Sequence, residues 1–83
     1  MTRNQKNLIV KIVRISMEIN EKTKSFIHFC LLPDINGFGL CHYKSRYKRE
    51  DDENNRVFME YRGNETIQHL QHIYDYLSKV KEN

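Results

Sequence analysis

The 83-residue chain predicts an α+β domain, a four-stranded antiparallel β-meander followed by one C-terminal α-helix packed on one sheet face. Three observations carry this expectation. Ile- and Val-rich segments alternate with period two through the first part of the chain. The turn-forming residues are few, with Pro33, Gly37 and Gly39 in one region and Gly63 in another. After Gly63-Asn64 the apolar spacing changes from two to three and four.

Residues 8–19 read as the first strand. Val13, Ile15, Met17 and Ile19 alternate with Arg14, Ser16, Glu18 and Asn20. Leu8, Val10 and Ile12 keep the opposite phase, which implies a bulge near Ile12–Val13 or a strand end buried on both sides. Asn20 to Thr23 is a polar turn, and residues 24–32 make a second strand. Ile27, Phe29 and Leu31 line one of its faces, while Phe26, His28, Cys30 and Leu32 line the other. Pro33 ends ladder pairing and Asn36-Gly37 favours a turn. Residues 38–49 form a third strand, Glu50 to Asn55 a charged tip, and residues 56–62 a fourth strand. From Ile67 the apolar residues run Leu70, Ile73, Tyr74, Leu77 and Val80, a helical stripe. Asn64 or Thr66 can cap its start, and Lys79 and Lys81 suit its negative end. The expected organisation is one small domain over 1–83: a flexible N-terminus at 1–6, the meander at 8–62 and the helix at 64–81.

Length and composition narrow the function classes. One domain of this size buries only about 60% of the surface its unfolded chain exposes. Its longest apolar run, Phe29 to Leu32, is far shorter than the ~20 residues that cross a bilayer. Lys11 and Arg14 interrupt the N-terminal apolar stretch, unlike a secretory leader. Two cysteines do not make a disulfide framework, so the expected setting is a reducing cytoplasm. There is no Ala, while Ile, Asn and Lys occur eight times each, the drift of an AT-rich genome such as that of a low-GC bacterium, a phage or a virus. The formal charge is +3, but residues 1–49 carry ten basic and three acidic side chains and residues 50–83 carry four and eight. Asymmetry of this kind can mark a nucleic-acid-binding face.

The third strand holds the most distinctive pattern. His42, Lys44, Arg46 and Lys48 fall on one face, and Cys41, Tyr43 and Tyr47 on the other, with Arg49 closing the run. Cations ~6.6–7 Å apart along a strand approach the phosphate repeat of an extended nucleic acid, and Tyr43 or Tyr47 can stack on bases. Residues 50–53 are all acidic and neutralise the run, so a solvated strand explains it as well. His28-x-Cys30 and Cys41-His42 contain metal-ligating side chains, but adjacent strand residues point to opposite faces and no zinc-knuckle spacing is present. No cofactor or metal is expected. His69 and His72, three apart on the helix, form the only acid–base pair that suggests catalysis, without a nucleophile or orienting partner.

The apolar content of both faces of the second strand exceeds what one helix covers. Phe26, His28, Cys30 and Phe58 on the outer face are therefore the expected partner or dimer face. In element order this β4α arrangement is similar to the single-stranded-DNA-binding transcriptional coactivator domains, and that resemblance implies a dimer which binds nucleic acid. The expected function is non-enzymatic binding of nucleic acid through His42, Tyr43, Lys44, Arg46, Tyr47, Lys48 and Arg49. The alternative is a phage- or virus-encoded inhibitor that docks on a host protein, and the third reading is a toxin-type ribonuclease using His69, His72 and the basic strand.

Overall fold

The computed structural model describes residues 2–45 and 53–82. The elements run α-β-β-β-α: α1 (Arg3–Lys22), β1 (Phe26–Leu32), β2 (Gly37–Tyr43), β3 (Arg56–Tyr61) and α2 (Ile67–Glu82), with single 3-10 turns at Pro33–Ile35 and Glu53–Asn55. The α+β class stands, but the sheet has three strands, and the segment expected as the first strand is a helix.

The reason lies in which apolar residues are buried. Leu8, Ile12, Ile15 and Ile19, spaced four, three and four, form the buried stripe of α1. Val10 and Met17, which completed the strand-like alternation, are exposed. The phase change at Ile12–Val13 is the 3.6-residue repeat seen through a period of two, with no bulge involved. Residues 2–6 start α1 and are not a free tail. The Thr2 hydroxyl accepts from the Gln5 N–H at 3.2 Å, and the Gln5 side chain accepts from the Thr2 N–H at 2.7 Å. This capping box satisfies two donors that a helix start otherwise leaves bare. Ser16, polar within the buried stripe, donates its hydroxyl to the Ile12 carbonyl at 2.7 Å.

The strands pair antiparallel in the order β1-β2-β3, with Cys30 opposite Gly39 and Cys41 opposite both His28 and Phe58. Gly37, at the start of β2, lies against the Tyr61 carbonyl so closely that a Cβ would overlap it. The described part of the third expected strand ends at Tyr43. Arg46, Tyr47, Lys48 and Arg49 lie outside the described residues. Beyond them, buried Asn55 closes the hairpin by accepting from the Ser45 N–H (2.9 Å) and donating to the Ser45 carbonyl (3.0 Å).

Both helices cover the same sheet face. Ile27, Phe38, Leu40 and Tyr61 of the sheet share one core with Leu8, Ile12, Ile15 and Ile19 of α1 and Leu70, Ile73 and Leu77 of α2. The helices run parallel. At one end Gln5 donates to the Tyr61 hydroxyl (2.8 Å), which donates to the Glu65 carbonyl just before α2 (2.9 Å). At the other end Glu18 of α1 pairs with Lys81 of α2, and each holds the other in its charged form. Among the described residues no helix is long and apolar enough to cross a membrane.

Candidate binding face

With both helices on one side, no described element covers the opposite side of the sheet. Side chains alternate along strands, and the register places Phe26, His28, Cys30 and Leu32 of β1 on this open face. Cys41 and Tyr43 of β2 and Arg56, Phe58 and Glu60 of β3 join them. The four residues expected to form a partner face, Phe26, His28, Cys30 and Phe58, therefore come together on it. Phe58 is 58% exposed and Phe26 39%, and both His28 and Cys30 are exposed.

The aromatic rings are arranged in two steps. Phe26 and Tyr43 are cross-strand neighbours whose ring centroids lie 6.1 Å apart with a 36° tilt. One level along, Phe58 lies across Gly39: a Cβ at Gly39 would stand 3.4 Å from the Phe58 ring and 3.3 Å from Leu32 Cδ1. The missing side chain lets the ring settle on the backbone, giving a shallow aromatic floor rather than a ridge. Charge sits at the ends. Arg56 is the cross-strand neighbour of Tyr43, while Lys24 and Lys44, at the same end of the sheet, line its helix side with His42 and Tyr76. At the other end Glu60 is bonded to Arg62 at 2.9 Å.

His42 does not belong to this face; it lies on the helix side with Ser25, Lys44 and Tyr76. It is buried there, with Nδ1 2.7 Å from the Tyr76 hydroxyl and Nε2 3.2 Å from Ser25 Oγ. The Ser25 hydroxyl can donate to the Lys44 carbonyl at 3.2 Å. A neutral imidazole satisfies the whole chain when Tyr76 donates to Nδ1 and Nε2–H donates to Ser25. Burial, and then the nearby Lys44 ammonium, hold the His42 pKa below the ordinary histidine range, which keeps that neutral form.

His69 is likewise engaged. Its Nε2 lies 2.9 Å from the Glu60 carbonyl and its ring stacks on Tyr61 (centroids 5.9 Å apart), while His72 is exposed. Its nitrogen thus caps the outer edge of β3. Cys30 and Cys41 are free thiols, and among the described residues no group of three or more His, Cys, Asp or Glu side chains could hold a metal ion.

No family model, curated protein or solved structure matches this chain.

Its own residues must therefore carry the functional reading. Gly39, expected from sequence as a turn former, lies inside β2, and Arg56 carried no expectation. The available signal was a glycine between Phe38 and Leu40, since glycine inside a strand marks a place where something approaches the backbone closely.

Proposed function

We propose that this protein is a non-enzymatic binding module that takes single-stranded nucleic acid across the open face of its sheet. One observation carries the reading: Phe26, Tyr43 and Phe58 lie together on a face that no described helix covers, with Arg56 at one end. Splayed bases stack on exposed aromatic rings with little regard to sequence, while cations beside the rings meet the phosphates. The formal charge of +3 favours such a polyanion. Arg46, Lys48, Arg49 and Tyr47, outside the described residues, extend the expectation by sequence alone. Filter binding of a single-stranded oligonucleotide against salt tests it. Affinity should fall linearly on a log–log plot, and an affinity indifferent to ionic strength would end the proposal.

A second reading is favoured by the composition of the rest of the face. Cys30, Leu32 and Phe58 form a neutral apolar half, suited to docking on a host protein as a small phage- or virus-encoded inhibitor would. A purified protein partner whose binding is lost on Phe58→Ala, with no oligonucleotide bound at low salt, would favour this reading over the first.

A further inference from the structure

A strand at the edge of a sheet presents unpaired backbone groups, and proteins normally guard them with charge, proline or a cover. In β1 the groups of Ile27, Phe29 and Leu31 point away from β2. Asn20 fixes this direction: its side-chain amide accepts from the Ile27 N–H at 2.6 Å and donates to the Ile27 carbonyl at 3.0 Å. Asn20 thus occupies the first outward pair. Two positions beyond Leu31 comes Pro33, which has no N–H to offer. Between these stops Phe29 and Leu31 remain, and from Phe26 to Leu32 the strand holds no Lys, Arg, Asp or Glu. The opposite edge is treated differently, with His69 on the Glu60 carbonyl and a charged Arg56. Leu31, on the helix side of the β1 edge, is 72% exposed.

We propose that a second copy of this chain adds its β1 antiparallel to this edge, with the twofold axis passing through Cys30. Phe29 of each copy then faces Leu31 of the other, and the two pairs exchange four backbone hydrogen bonds. The next outward position on either side sets Ile27, held by Asn20, against Pro33. Each stop faces the other, so no donor is stranded where the ladder ends. Sliding by two residues instead sets Ile27 against Leu31, or Pro33 against Phe29, and loses bonds. The segment is self-complementary in one register, which is what an isologous interface requires. Each exposed Leu31 packs beside the Phe29 of the other copy. The product is a six-stranded sheet whose two open faces lie on the same side. This inference stands whether those faces bind nucleic acid or protein.

Sedimentation of the full chain over a concentration series tests it. The mass should rise from 10.1 kDa towards twice that value, and Leu31→Lys, at an exposed site, should keep it monomeric with an unchanged circular dichroism spectrum. A cross-linking experiment reads the register. In a Cys41→Ser background, a diazene dicarboxamide oxidant takes two hydrogens from the paired Cys30 thiols, is reduced to the hydrazine, and leaves one S–S bond between copies. Directly opposed residues of this kind have Cα atoms about 4.5 Å apart, so the dimer should form rapidly. A chain with His28→Cys as its only cysteine (Cys30→Ser, Cys41→Ser) places its thiols about 14 Å apart and should cross-link much more slowly. A monomer at every concentration would overturn the proposal. So would equal cross-linking at positions 28 and 30, or a dimer that Phe58→Ser abolishes and Leu31→Lys leaves intact.

Discussion

Truncating Phe58 to alanine separates the binding role of the open face from its role in folding. Phe58 retains 58% of its exposure, so the folded state withdraws less than half of its surface from water. Full burial of such a side chain is worth about 1.5–3 kcal/mol, and the stability loss on truncation should therefore be about 1 kcal/mol. A base stacked on the ring is worth about 1–3 kcal/mol, which is roughly fivefold to more than a hundredfold in Kd. Phe58→Ala should thus remain folded while its affinity for a single-stranded oligonucleotide of about 12 nucleotides falls at least fivefold. Fluorescence anisotropy reads the affinity, and urea unfolding of the same preparation reads the stability. Phe26→Ala should act in the same direction, by less, because its ring is already shared with Tyr43. A folded Phe58→Ala variant that binds within twofold of the parent would refute base stacking on this face.

Three further outcomes follow from the packing. Gly37→Ala drives a Cβ into the Tyr61 backbone and should cost more than the ~1–3 kcal/mol of ordinary overpacking; a thermal midpoint near that of the parent would contradict it. Asn20→Ala removes both side-chain bonds to Ile27 and should cost about 1–3 kcal/mol in urea unfolding, with a loss below about 0.5 kcal/mol showing that water replaces the amide. His42, whose pKa is lowered by burial and then by Lys44, stays neutral in the folded protein at pH values where the unfolded chain takes up a proton. Stability should therefore fall as the pH drops through about 6.5 and level off below the folded pKa, and His42→Gln should flatten that decline; the same slope in both proteins would exclude His42 as its source.

What was legible from sequence depended on whether burial agreed with local pattern. The C-terminal helix was legible because Leu70, Ile73 and Leu77 are all buried and nothing apolar on the opposite face obscures the stripe. The outer face of β1 was anticipated from Phe26 and Cys30 on the premise of a single helix; a second helix exists, and the face stays open because both pack on the other side. The first element was obscured by β-branched content: Ile9, Val10, Ile12, Val13, Ile15 and Ile19 favour strands on propensity, which tertiary packing overrode. The capping signature, Thr2 with Gln5 three residues on, and the absence of Gly or Pro from 3 to 32 pointed to a helix instead. His42 carried no sequence signal of burial. Its neighbours in the pattern are cations, and its partners Ser25 and Tyr76 lie 17 and 34 residues away. Nor could local spacing show that His69 bonds the Glu60 carbonyl, since the intervening turn sets their approach.

The parallel course of the two helices also decides how the molecule can be held. The chain enters the described structure at the start of α1 and leaves it at the end of α2, and both helices form the layer behind the sheet. Entry and exit are therefore separated by about the length of α2, 16 residues or roughly 24 Å, and neither lies on the aromatic face. An affinity tag, a fluorophore or a sensor surface can be attached at either terminus with the sheet still facing solution. Immobilising the protein in turn by each end would present the same surface in two orientations, so a partner that binds both equally is being captured by the face and not by the anchor.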